Sequence, residues 1–212
     1  MNPCSAVQVS PQESCSSRKL PHQPAKQKNF RSRAAFKLEQ IQKDYGIIHQ
    51  DDAVLEIGSS PGGWTEVVVS ITQGPILALD LTKMEEIPGV HFVKANVMRP
   101  ETESDIRAFL TNSGRQYFKV IISDAMSRTT GHHDIDHSAS CMIGERVMQL
   151  CQVFLAENGN VLLKQFQGDM TQGFKRKWER YFDSSKIVKP KASRETSSEI
   201  YILFKGFRRL VS

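Results

Sequence analysis

The stretch Val54-Leu-Glu-Ile-Gly-Ser-Ser-Pro-Gly-Gly-Trp64 decides the architecture. Val54, Leu55 and Ile57 form an apolar run long enough for a buried strand. Gly58 to Gly63 make a glycine-rich turn, and Trp64 to Ile71 reads as a helix. Strand, tight turn and helix start, in that order, let a ligand approach main-chain N–H groups, because glycine accepts φ > 0 and carries no Cβ. Pro61 suits a helix start, where its missing donor is not needed. Ser60 stands where G-x-G-x-x-G would have its second glycine. That disfavours a pyrophosphate cradle and favours a cofactor without phosphates.

Outward from this unit the chain keeps alternating strand and helix. Upstream, residues 31–45 read as an amphipathic helix with Ala34, Leu38, Ile41 and Tyr45 on one stripe, closed by Gly46. Downstream, strands are expected at Ile76–Asp80, Gly89–Val93, Tyr117–Ile122, Val161–Lys164, Ile187–Lys189 and Glu199–Phe204. Helices are expected at 101–113, from Asp136 to Ala156 with Asn158-Gly159 as its C-cap, and at 170–182. Such alternation implies βαβ units and a mainly parallel sheet, with ligands held beyond the carboxyl ends of the strands. Residues 56–63, Asp80, Asn96, Asp124 and Lys164 all fall at or just past those ends.

The 212 residues suggest one domain with a tail: residues 1–25, rich in Ser, Pro and Gln, are expected to be disordered, and 26–212 to form the folded unit. No apolar run approaches the ~20 residues of a membrane span. The first residues lack the pattern of a signal peptide, so a cytoplasmic protein is expected. The four cysteines form no C-x-x-C pair, which argues against both structural zinc and a disulfide framework. The net charge of +5 is unevenly spread: the segments up to Arg33 and from Lys175 onward are strongly basic, and the middle is net acidic. Basic ends around an acidic middle suggest a polyanion-binding rim around a differently charged site.

Asp80, closing the second strand, is placed to accept hydrogen bonds from ribose hydroxyls. With a phosphate-free turn, this points to S-adenosylmethionine. Asn96 and Asp124 are candidates to read its adenine and amino group, and Trp64 to line the pocket. Lys164 ends a buried strand, where a lysine is costly unless paired or neutral, and Asp124 on the neighbouring strand is its expected partner. If the last strand runs antiparallel, its start brings Glu199 to the same edge. If the 31–45 helix packs over that edge, Lys37 joins them. Two lysines and two acids in one cleft are a means of tuning a lysine for proton transfer. His132, His133 and His137 with Asp134 and Asp136 match no standard metal spacing, so no metal is expected and the segment reads as a lid.

The pieces RSRAAFKL at 31–38, LEIGSSPGGW at 55–64, LDL at 79–81, SDA at 123–125, LLKQFQG at 162–168 and KPKASRETSSEIYIL at 189–203 resemble the FtsJ/RrmJ (RlmE) family of ribose 2′-O-methyltransferases, in its archaeal form. The resemblance implies a Rossmann-like S-adenosylmethionine-dependent methyltransferase fold: a seven-stranded, mainly parallel sheet with one antiparallel strand and helices on both faces. It implies a catalytic tetrad at Lys37, Asp124, Lys164 and Glu199, with Lys164 the proton acceptor. It implies cofactor contacts at Gly62, Trp64, Asp80, Asn96 and Asp124. Phosphate contacts are expected from Lys28, Arg31, Arg33, Lys189, Lys191 and Arg194. The implied substrate is a uridine ribose of large-subunit rRNA, within the assembled or assembling subunit, and a monomer is expected. Two positions depart from the family pattern: Ser59-Ser60 replace alanines, and Asn96 replaces an aspartate. A tRNA ribose methyltransferase and a non-catalytic ribosome-assembly factor on the same fold remain open. A nicotinamide-dependent oxidoreductase is disfavoured by Ser60.

Overall fold

The computed structural model describes residues 30–127, 129–193 and 197–209. The expected 1–25 tail, Lys28 and Arg194 lie outside them. In chain order the elements are α1 (Ala34–Tyr45), β1 (Val54–Ile57), α2 (Gly63–Val69), β2 (Ile76–Asp80), β3 (Val90–Lys94), α3 (Glu101–Asn112), β4 (Phe118–Ser123), α4 (His133–Phe154), β5 (Leu155–Phe166), α5 (Met170–Glu179), β6 (Phe182–Val188) and β7 (Glu199–Phe207).

The strands form one seven-stranded sheet in the order β3-β2-β1-β4-β5-β7-β6. All pairs from β3 to β5 are parallel, and β7 runs antiparallel to both neighbours, β5 and β6. The expected single reversed strand is therefore β7. Strands covered on both faces read as continuous apolar runs, and β1 is buried at every position. One face packs Leu55, Ile57, Leu79, Ile121 and Leu163 against α3, α4 and α5. The other packs Val54, Ile76, Ile122 and Leu162 against α1 and α2. Lys164 shares the face of Leu162, so it emerges on the side that α1 covers.

Two local readings are corrected. Pro61 does not open a helix: α2 starts at Gly63, capped by Gly62 at φ 110°. Asn158-Gly159 do not cap α4, which ends at Phe154 with Leu155 already extended. They lie inside β5, where pairing to β4 jumps from Phe118–Leu155 to Val120–Asn160, and Asn158 takes φ 57° in this bulge.

Gly58 has φ +81°, and a Cβ there would overlap the main chain of Ala125. Glycine therefore lets the β1 and β4 loops touch. Gly46, at φ +54°, has open space around it. Both substitutions to alanine incur conformational strain, but only Gly58→Ala adds a collision. Urea unfolding should show Gly46→Ala losing about 1 kcal/mol and Gly58→Ala losing clearly more.

Candidate active site

The β1–α2 turn and the end of β2 are joined through one carboxylate. Asp80 accepts from the Ser60 N–H at 2.9 Å through Oδ2 and from the Thr82 N–H at 2.7 Å through Oδ1. These bonds fix the carboxylate on the wall of a cavity of about 590 Å³ beyond the strand ends. Gly58, Ser60, Asn96, Asp124 and Lys164 share that wall with the apolar Leu79, Val97, Met98 and Ile143. Asn96 uses its Oδ1 to accept the Met98 N–H at 3.0 Å, which assigns the amide and leaves Nδ2 as its remaining donor group. Arg146 braces the same loop, donating to the Val97 carbonyl at 2.9 Å while pairing with Glu103 at 3.0 Å.

At the β5 and β7 end of the cavity two ion pairs meet. Lys164 Nζ lies 3.0 Å from Asp124 Oδ1 and donates to the Asp124 carbonyl at 2.7 Å. Lys37 Nζ lies 2.6 Å from Glu199 Oε2. Antiparallel register sets Tyr201 opposite Lys164 and Glu199 opposite Phe166. The Tyr201 hydroxyl donates to Asp124 Oδ1 at 3.3 Å, and Lys37 Nζ sits 5.9 Å from the centre of its ring. Tyr201 thus bridges the two pairs. Burial raises Asp124 above the ordinary carboxylate value, despite the charge and hydrogen bond of Lys164. Burial also acts to raise Glu199, yet the hydrogen bond and charge of Lys37, helped by Lys164, win and hold it below its ordinary value. Burial pushes the Tyr201 phenol far up, so it stays a neutral donor.

Glu56 sits beneath the glycine turn, fully buried on β1. Neither of its oxygens has a partner at hydrogen-bond geometry. Burial pushes its pKa from 4.5 to about 8, the charges of Asp124 and Asp80 push the same way, and the nearby Thr65 hydroxyl works against them.

The structure brings Lys37, Asp124, Lys164 and Glu199 together and sets Asp80 and Asn96 on the cavity wall. It does not bring Trp64 or Gly62 there. The Trp64 indole is buried on the α1 side, donating to the Ala34 carbonyl at 2.9 Å and packing on Tyr201 at 5.6 Å. A Cβ on Gly62 would press on Arg31 and Ile87. Arg31, an expected phosphate contact, is engaged within the protein. Its guanidinium is committed to the carbonyls of Glu85 and Glu86, at 2.8 and 3.1 Å, and to Glu66 at 3.4 Å. Arg33, Lys189 and Lys191 are exposed.

The histidine segment is not a free-standing lid. His137 is buried in α4, with Nδ1 donating to the Phe166 carbonyl at 2.8 Å and Nε2 accepting the Met170 N–H at 3.1 Å. Asp136 accepts the N–H groups of Thr130 and Gly131 and the Thr130 hydroxyl, and those bonds hold its pKa below the ordinary value. Among the described residues no group of three potential ligands is placed to hold a metal. Sequence reasoning missed Tyr201 and Arg146. Tyr201 was within reach, since it shares a strand face with Glu199 two residues away.

A doubly wound sheet with a reversed seventh strand, and a cavity beyond its parallel strand ends, defines a Rossmann-like fold. Residues 30–207 match the FtsJ-like methyltransferase family, and the chain belongs to it. It is 50% identical over 184 residues to the ribosomal RNA large subunit methyltransferase E of Thermoplasma acidophilum, spanning 86% of this chain and 89% of the relative. A protein of the same name from Picrophilus torridus is 47% identical over 180 residues, spanning 85% and 93%. Among solved structures, a ribosomal RNA methyltransferase from Plasmodium falciparum superposes with a TM-score of 0.75 at 24% identity. It covers 84% of this chain and 98% of that one, which is a likeness of fold.

Glu56 supplies a pH test. Its folded-state pKa lies above the ordinary 4.5, so its contribution to stability is complete below that pH and is lost as pH rises towards about 8. Glu56→Gln removes this loss. Urea titrations from pH 5 to 8 should show the variant gaining on the parent as pH rises, by on the order of 4 kcal/mol at most. Parallel curves would contradict a buried neutral carboxyl.

Proposed function

We propose that this cleft methylates the 2′-hydroxyl of a uridine ribose in large-subunit rRNA, using S-adenosylmethionine. The observation that carries the reading is the Lys164–Asp124 pair at the cavity's edge, flanked by Lys37–Glu199. A ribose hydroxyl is a poor acid and needs a base beside it, whereas many other methyl acceptors do not. The names of the archaeal relatives supply the substrate class.

The cavity suits the cofactor. Asp80 faces it with a fixed carboxylate for ribose hydroxyls, and Leu79, Val97, Met98 and Ile143 offer an apolar wall for adenine. Asn96 Nδ2 offers a donor to a ring nitrogen. Asp124 is placed to take an ammonium hydrogen. Gly62 and Trp64 act by shaping the turn. The bound cofactor supplies an electrophilic methyl carbon.

Lys164 takes the proton from the 2′-hydroxyl as that oxygen becomes a nucleophile, with Asp124 holding the amine in place. Glu199 keeps Lys37 beside the sugar, and Tyr201 fixes the spacing between the pairs. Arg33, Lys189 and Lys191, together with Lys28 and Arg194, grip phosphates and position the strand. Among the described residues no helix is long and apolar enough to cross a membrane. We place the enzyme in the cytoplasm, as a monomer on the assembled or assembling subunit.

Purified protein, large-subunit rRNA and S-adenosylmethionine should yield one ribose-methylated uridine, mapped by resistance to alkaline cleavage. Lys164→Ala should lower turnover by about 10²–10⁴-fold while cofactor binding persists. Methylation of tRNA alone would redirect the substrate assignment. A fully active Lys164→Ala would overturn the mechanism.

A further inference from the structure

Away from the cleft, at the N-terminal ends of β4 and β5, lies a basin of about 670 Å³ lined by Arg107, Arg115, Arg209, Tyr117 and Phe154. Its three arginines come from α3, from the turn before β4 and from the segment after β7. Two are held by rings: the Arg107 guanidinium lies 4.9 Å from the Phe154 ring centre and that of Arg209 4.6 Å from Tyr117. Arg209 also donates to the Leu155 carbonyl at 3.1 Å and the Tyr117 hydroxyl at 3.4 Å. Among the described residues none of the three forms an ion pair with a carboxylate. The acid alongside, Glu157, accepts the main-chain N–H of Arg209 at 2.8 Å.

Three like charges facing one hollow repel until an anion joins them, and planar guanidinium groups match phosphate oxygens in pairs. A half-exposed tyrosine beside them offers a stacking surface of the kind single-stranded bases use. We propose that this basin binds the phosphate backbone of a second segment of the substrate RNA. The inference rests on RNA being the substrate. Catalysis occurs beyond the opposite ends of the same strands, roughly 20 Å away at ~3.3 Å per residue. The basin therefore engages RNA other than the nucleotides in the cleft. Such a contact favours a large folded RNA over a short strand, and it uses an edge of the sheet that the methylation chemistry leaves free.

The test compares Arg115→Glu, whose exposed side chain makes no hydrogen bond or ion pair among the described residues, with an Arg107→Gln/Arg115→Gln/Arg209→Gln variant. Wild type and variants are assayed on full-length large-subunit rRNA and on a short oligonucleotide carrying the target uridine. Thermal melting verifies that each variant is folded. The expected result is a KM for the long RNA raised about tenfold or more, unchanged kcat and unchanged kinetics on the short RNA. The salt dependence of long-RNA binding should also flatten by about two to three counterions in the triple variant. Unchanged KM and salt slope, or equal weakening on both RNAs, would overturn the basin while leaving the cleft's assignment intact. Wild type that neither binds nor methylates either RNA would overturn the reading of the cleft, and this inference with it.

Discussion

The direction of β7 governs the chemistry of this fold. Because β7 runs against β5, the start of one strand lies beside the end of the other, and Glu199 and Tyr201 arrive where Lys164 leaves the sheet. A parallel strand in that place would deliver its last residues to this edge and its first to the opposite one. The α1 helix lies over the same face through Ala35, Leu38 and Ile41 and lowers Lys37 onto Glu199. Partly buried ion pairs of this kind give little net stability, because desolvation offsets most of the attraction.

The cofactor side rests on a different constraint, the close approach of loops. Gly58 lets the β1 loop touch Ala125, so the glycine turn and the Asp124 loop share one wall. Asp80 then ties that turn to β2 through its two main-chain bonds. Asp80 and Glu56 stand on neighbouring strands, with Asp124 just past the end of the next, and burial raises the pKa of Glu56 to about 8. Limited negative charge is thereby placed near Lys164, whose ion-pair partner among the described residues is Asp124.

Local pattern made much of this visible in the sequence. Ile76–Asp80 forms a strand with the bounds its apolar run suggests, and the tetrad follows once β7 is taken as reversed. What escaped depended on distant partners. Arg31 looks like a free basic residue in sequence, but the carbonyls that capture it lie more than fifty positions away. Trp64 belongs to the turn motif, yet its indole finds Ala34 and Tyr201 on the α1 side. Asn158-Gly159 resembles a helix end because a bulge and a cap ask for the same positive φ. His137 reads as part of a lid, and it instead joins β5 to the start of α5.

The central claim is that the amine of Lys164 accepts the proton of a ribose hydroxyl. The most direct measurement is the single-turnover rate of methyl transfer against pH, for wild type and for Lys164→Arg, which keeps the positive charge and cannot shed its proton. The account predicts a wild-type rate that climbs tenfold per pH unit before levelling, and a variant that is slow and lacks that limb. A variant that follows the wild-type curve at the wild-type rate would contradict it.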